Sequence, residues 1–110
     1  MRLNRYDKEM LELVRRRIED MSLRPARIAE LALLAGMGET KLKAAFKLTY
    51  GTTLHQYSLK QRMAYAKRLI DEDHKSLAQI ASLAGFSATS NFISAFKKYY
   101  GETPGRTRPR

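Results

Sequence analysis

Residues 29–53 and 78–103 are two versions of one segment, AELALLAGMGETKLKAAFKLTYGTT and AQIASLAGFSATSNFISAFKKYYGET. Up to Gly36 and Gly85 the copies align without a gap. Ala29, Ala32 and Ala35 match Ala78, Ala81 and Ala84, and Leu31 and Leu34 find apolar equivalents in Ile80 and Leu83. The second copy then carries one extra residue. Beyond it Leu42/Phe92, Phe46/Phe96, Tyr50/Tyr100, Gly51/Gly101 and Thr53/Thr103 match again, so a spacing of about 50 residues holds at both ends. An internal repeat implies two copies of one structural unit. Each copy consists of a short helix, a turn centred on glycine and a second, amphipathic helix. That is the outline of a helix-turn-helix, whose second helix fits a DNA major groove.

At 110 residues the chain has room for one small domain or two tightly joined subdomains, which excludes large two-domain enzymes. Lys and Arg number 21 against 11 Asp and Glu, a net charge of +10, and this points to an anionic partner such as nucleic acid or a membrane surface. The repeat favours nucleic acid. With no cysteine, disulfides, thiolate chemistry and Cys-based zinc sites are excluded, in keeping with a reducing cytoplasm. The N-terminal MRLNRYDKEM lacks the apolar stretch of a signal peptide, and the apolar run around Leu31 to Gly36 is too short to span a bilayer. A soluble protein with no membrane association is expected.

Helical periodicity runs throughout, so an all-α fold of about seven helices is expected: two helix-turn-helix subdomains joined by a long linker helix. Met10, Val14, Ile18 and Met21 predict an apolar stripe on a first helix from about Asp7 to Met21. Arg15, Arg16 and Arg17 fall mainly off it and are expected to pair with Glu12, Glu19 and Asp20. Pro25 suits the first turn of a helix ending at Ala35 and Gly36. The next helix is expected over Glu39–Tyr50, with Leu42, Ala45 and Phe46 inward and Gly51 as its stop. From Thr53 to about Asp71 the pattern Leu54, Tyr57, Met63, Ala66, Leu69, Ile70 predicts one helix nearly 30 Å long at about 1.5 Å per residue, close to the roughly 34 Å between successive major grooves. Ser76 and Gln79 have capping-box spacing for a helix to Ala84 and Gly85. Ser87 is the expected cap of a last strong helix from Ala88 to Tyr100, with Phe92, Ala95 and Phe96 inward and Gly101 as its stop, and Pro104 is expected to start a short turn. The implied organisation is an N-terminal tail at 1–6, a first subdomain at 7–52, a linker helix at 53–72, a second subdomain at 73–105 and a basic tail at 106–110.

The segments FKLTYG (46–51) and FKKYYG (96–101), with YSLKQR (57–62) and AKRLI (66–70) between them and AGFS (84–87) opening the second turn, resemble the AraC/XylS family. The likeness covers about residues 7–105 and is most specific over IASLAGFSATSNFISAFKKYYGETP, residues 80–104. It implies a bacterial transcription regulator whose two subdomains occupy consecutive major grooves. GMGETKLKAAF (36–46) followed by GTTL (51–54) is also similar to a branch responding to iron-chelating siderophores.

If the two amphipathic helices are readers, the base-reading residues are Thr40, Lys43 and Ala44 in the first and Thr89, Ser90, Asn91 and Ser94 in the second. Lys43 can donate to guanine O6 and N7, Asn91 can pair with adenine N6 and N7 or cap its own helix, and Thr or Ala can pack on a thymine methyl. Family members often carry larger residues at equivalent outward positions, so DNA shape gains weight here. The phosphate-binding set is Arg24, Arg27, Lys47, Lys60, Arg62, Lys97 and Lys98. Arg62 has a second open role, tying down Asp20 or Glu30. The aromatic residues Phe46, Phe86, Phe92, Phe96, Tyr50, Tyr57 and Tyr100 are expected in the core.

No catalytic residue, cofactor or metal site is expected. His55 and His74 are isolated, Asp71, Glu72 and Asp73 lack ligand partners, and no phosphate loop or HExxH motif occurs. The expected partner is double-stranded DNA, with RNA polymerase a second one and an effector acting only through a missing N-terminal domain. The chain is either an excised domain or a stand-alone short regulator, monomeric as it stands and located in the bacterial cytoplasm on the nucleoid. A rival from another class is a helical protein-interaction module that binds polymerase or another regulator and has only non-specific DNA affinity.

Overall fold

The computed structural model describes residues 1–107, the last two by their backbone alone, so most of the basic tail at 106–110 lies outside the described residues. Seven helical segments and no strand occur among the described residues: α1 (Arg5–Glu19), α2 (Ile28–Ala35), α3 (Glu39–Tyr50), α4 (Leu54–Glu72), α5 (Leu77–Leu83), α6 (Thr89–Tyr100) and α7 (Pro104–Thr107). They fall into two compact units, residues 1–59 and 60–110, and the boundary lies within α4.

In unit 1, α1 packs on α2 and α3, and α2 on α3. The core gathers Leu11, Val14 and Ile18 of α1, Leu31, Ala32 and Ala35 of α2, Met37 of the turn, Leu42, Ala45 and Phe46 of α3 and Leu54 of α4. The buried line of α1 is therefore Asp7, Leu11, Val14 and Ile18, whereas Met10 is half-buried and Met21 lies beyond the helix end. Both sets satisfy helical spacing. Asp7 wins its place because its carboxylate closes a capping box: the Asp7 N–H donates to Asn4 Oδ1 at 2.7 Å, and the Asn4 N–H donates to Asp7 Oδ2 at 3.2 Å.

Unit 2 buries Met63, Ala66, Leu69 and Ile70 of α4, Ile80, Ala81 and Ala84 around α5, Phe92 and Phe96 of α6, and Pro104. A file of rings runs through it, with centroids 5.5 Å apart for Phe86 and Phe92, 5.7 Å for Phe92 and Phe96, and 4.7 Å for Phe96 and Tyr100. Such tilted and edge-to-face contacts suit aromatic quadrupoles.

The sequence repeat recurs in the backbone. Met37 N–H donates to Ala32 O at 3.1 Å and Phe86 N–H to Ala81 O at 2.9 Å, each across a glycine in the left-handed region, Gly36 at φ 62° and Gly85 at φ 88°. These pairs close the last turn of the first helix of each copy. Each second helix has 12 residues and ends on a left-handed glycine whose N–H returns to the carbonyl four residues back, Gly51 to Lys47 and Gly101 to Lys97. Phe46 and Tyr50 stack with centroids 4.7 Å apart, as Phe96 and Tyr100 do. The extra residue of the second copy falls in its turn, where Ala88 takes the cap position of Gly38.

Two expected helix starts are corrected. Pro25 does not open α2, which begins at Ile28 behind Arg27. Ser87 does not cap α6; the extended residue before the helix is Ala88, which has no side-chain acceptor. By contrast Ser76 and Gln79 form the anticipated capping box at α5. Thr53 and Gln56 form an equivalent one at α4, the Gln56 N–H donating to Thr53 Oγ1 at 3.0 Å and the Thr53 N–H to Gln56 Oε1 at 3.2 Å.

Because Gly101 sits at φ 83° with nothing within 4 Å of an added Cβ, replacing it by alanine costs backbone strain without a clash. Gly101→Ala should lower stability by about 1–2 kcal/mol and Ser76→Ala by ~1 kcal/mol in denaturant melts. A neutral Gly101→Ala would contradict the left-handed stop.

Candidate nucleic-acid interface

Since α3 and α6 have equal lengths of 12 residues, positions correspond at a fixed offset: Thr40 with Ser90, Ala44 with Ser94 and Lys47 with Lys97. With Leu42, Ala45 and Phe46 buried, about 3.6 residues per turn directs these three positions straight outward in each helix. Thr40, Ala44, Lys47, Ser90, Ser94 and Lys97 are all exposed. Lys43 and Asn91 are exposed too, yet they stand on opposite flanks of that stripe, because Lys43 corresponds to Ile93 and Asn91 to Lys41. Thr89 is only half-exposed, at the first position of α6.

Neither α3 nor α6 has a side-chain cap, since Gly38 and Ala88 precede them. The start of α2, behind Arg27, lacks one too, whereas α1, α4 and α5 begin with capping boxes. Helix starts of this kind attract phosphate through free N–H groups and the helix dipole.

The proposed phosphate contacts differ in their surroundings. Arg27, Lys47, Lys60, Lys97 and Lys98 are exposed and form no ion pair among the described residues. Arg24 is exposed but its guanidinium pairs with Glu30 at 2.9 Å. Arg62 is half-buried, with its Cζ 5.0 Å from the Phe86 ring centroid and a buried Nε that has no partner. Burial pushes its pKa down. Within unit 1, the Ser22 N–H donates to Asp20 at 3.0 Å, and Glu30 is engaged by Arg24. His55 and His74 are exposed, and no group of three or more possible metal ligands occurs among the described residues. No helix among them is long and apolar enough to cross a membrane.

A set of residues without an assigned part in recognition braces α3. The Tyr50 hydroxyl, at the end of α3, donates to Glu12 Oε2 at 3.1 Å. Tyr57 donates to Glu19. Arg15 joins both carboxylates, pairing with Glu12 and, at 3.1 Å, with Glu19, and its Cζ lies 5.9 Å from the Tyr50 ring centroid. At the other end of α3, Lys41 Nζ reaches the buried Asp7 carboxylate at 3.3 Å. The spacing of Glu12, Arg15 and Glu19 on one helix face was the available signal, and it pointed only to a solvated ladder. Tyr50 and Tyr57 are thus half-buried donors, not plain core aromatics.

The Arg15 hydrogen bond, followed by that from Tyr50, holds the Glu12 carboxyl below its ordinary value despite partial burial. Arg24 does the same for Glu30, and Ser22 for Asp20. Burial first, and then the bond to a glutamate, pushes the Tyr50 and Tyr57 phenols up.

The family model described as a helix-turn-helix domain matches residues 31–110. The probable transcriptional regulator LumQ of Photobacterium leiognathi is 44% identical over 79 residues, which cover 72% of this chain and 32% of LumQ. The probable transcription factor PqrA of Proteus vulgaris is 33% identical over 82 residues, 74% of this chain and 67% of PqrA. A solved transcriptional regulator with an AraC-type DNA-binding domain, from Chromobacterium violaceum, superposes with a TM-score of 0.72 at 28% identity, covering 94% of this chain and 88% of that one. This chain belongs to the AraC-type helix-turn-helix family. The AraC-type family is one of transcription regulators, not enzymes. The chain spans between about a fifth and just over a third of the length of the first curated relatives it matches.

Carboxylates with depressed pKa values contribute stability that is complete above their unfolded values and lost as pH falls through the folded ones. Melting temperature should therefore decline as pH drops below the ordinary glutamate value of 4.5, and Glu12→Gln should lose less over that range. The raised tyrosine values act in the opposite sense, so stability should also fall as pH rises above the ordinary 10.0. A flat profile between pH 5 and 3 would contradict the bracing role of Glu12.

Proposed function

We propose that this AraC-type chain is the DNA-binding part of a bacterial transcription regulator that reads double-stranded DNA by inserting α3 and α6 into successive major grooves. The observation that carries the reading is the duplication itself: two 12-residue amphipathic helices, each behind a left-handed glycine turn, each uncapped at its start and each presenting a short polar outward stripe beside lysine. Thr40, Lys43 and Ala44 of α3 and Thr89, Ser90, Asn91 and Ser94 of α6 are the base-reading residues of this proposal. Arg27, Lys47, Lys60, Lys97 and Lys98 contact phosphates, joined by Arg24 and Arg62 once each exchanges its present contact for an anion. The subdomains of this proposal are residues 7–52 and 73–105, with 53–72 as linker helix, an N-terminal tail at 1–6 and a basic tail at 106–110.

The monomer would cover about two helical turns of DNA and act in the cytoplasm on the nucleoid. Contact with RNA polymerase, and an effector acting through a separate N-terminal domain, complete the proposal. A protein-interaction role is the second reading. It is favoured by Leu33, which is 84% exposed on α2.

Selection of bound duplexes from a random pool at physiological salt tests the proposal. An enriched motif is expected, and an unenriched pool would overturn sequence-specific recognition in favour of the interaction module. If about six phosphates are neutralised, log K should fall with log salt at a slope near −5. A flat salt response would contradict the phosphate set.

A further inference from the structure

One apolar surface of unit 1 lies outside both its core and the outward stripe of α3. On α1, Tyr6, Met10, Leu13 and Arg17 stand at i, i+4, i+7 and i+11 and share one side of the helix. At one end of that line the Tyr6 hydroxyl lies 4.0 Å from the point a Cβ on Gly36 would occupy, beside the end of α2. At the other end Arg17 Nη2 donates to the Arg24 carbonyl at 2.8 Å, and the Arg24 guanidinium pairs with Glu30 of α2. Arg24 foremost, with Arg17 among the lesser causes, holds the Glu30 carboxyl below its ordinary value. The line on α1 therefore runs antiparallel to α2, from Gly36 back to Glu30. Leu33 and Leu34 follow Glu30 at i+3 and i+4, on the same side of α2. Tyr6, Leu13, Leu33 and Leu34 are all exposed, and Met10 is half-buried.

The duplication supplies an internal comparison. Position 33 corresponds to Ser82, which is likewise exposed on the first helix of its own copy. The fold thus accepts a hydroxyl there, yet unit 1 carries a leucine that is 84% exposed and adds nothing to the core. Four aligned apolar side chains with a polar border mark an association surface rather than scattered exposure. A seam between two antiparallel helices takes the apolar face of a third helix, whose anchors recur at i, i+3, i+4 and i+7. The border selects the occupant. Around the α1–α2 loop stand Arg16, Arg17, Arg24 and Arg27 against Asp20 and Glu30, and the whole chain carries a net charge of +10. A second copy would bring the same charge to the same border and be repelled, whereas an acidic helix is attracted.

We propose that the seam formed by Tyr6, Leu13, Leu33 and Leu34 docks an acidic amphipathic helix of a protein partner, while the outward stripe of α3 stays free. Leu33 and Tyr6 anchor its apolar face from opposite helices, and Arg16 and Arg17 meet its carboxylates. This surface does not depend on the DNA-binding reading, which the selection of duplexes tests separately.

The test presents the full chain with a displayed library of helical peptides that are apolar at i, i+3, i+4 and i+7 and vary among acidic, neutral and basic residues elsewhere. Peptides that also bind the Leu33→Ser chain are removed. Enrichment of Asp and Glu at the varied positions is expected. Leu33→Ser should weaken a selected peptide by about tenfold or more, the scale of burying one leucine, with melting temperature and duplex affinity unchanged. Tyr6→Ala, at the other end of the seam, should weaken the same peptide. An unenriched library, enrichment of Lys and Arg, or a peptide affinity indifferent to both variants would overturn the proposal. Binding to vesicles of anionic phospholipid that Leu33→Ser abolishes, with no peptide selected, would assign the seam to a membrane and overturn it too. A loss of duplex affinity in Leu33→Ser would place Leu33 in the DNA interface, with the same consequence.

Discussion

The left-handed glycine turn is the constraint on which both halves of this protein depend. At Gly36 and Gly85 the backbone reverses within one residue, so that the N–H groups of Met37 and Phe86 fold back onto Ala32 and Ala81. An L-residue with a side chain resists that conformation, which is why glycine recurs where the rest of the turn changes in length and composition. Once the turn is set, the residue after it enters or borders the core, the second helix crosses the first, and its opposite face is left to solvent. The outward stripes of α3 and α6 follow from that geometry before any side chain is chosen for recognition.

What is built on the shared turn differs between the copies. Unit 1 uses a third helix, α1, and a ladder of Glu12, Arg15 and Glu19 to seize two tyrosines from below. Such partly exposed pairs contribute little to stability individually, and their value here is geometric. Unit 2 relies on ring packing through Phe86, Phe92, Phe96 and Tyr100.

Much of the fold was legible in the sequence because its strongest signals are local. The bounds of α3 follow from Leu42, Ala45 and Phe46 between two glycines, and the α5 start follows from Ser76 with Gln79. The α1 stripe was misjudged because Met10 and Leu11 are adjacent apolar residues and periodicity alone cannot choose between them. Ser87 has the chemistry of a cap but lies one residue too early, since the extra residue of the second turn makes Ala88 the extended position before α6. Pro25 could open a helix, yet the chain stays extended until Ile28. The candidate site was less legible. Which cations are free depends on tertiary pairing: Arg24 and Lys41 are engaged by Glu30 and Asp7, the latter 34 residues away in sequence. Nothing in a list of lysines and arginines distinguishes these from Lys97 and Lys98.

The most direct test of the central claim is a hydroxyl-radical footprint of the 110-residue chain on a duplex selected from a random pool. Two protected stretches of backbone about one helical turn apart are the predicted result, one for each reader helix. A single protected stretch, or uniform weak protection along the duplex, would contradict recognition through two successive grooves.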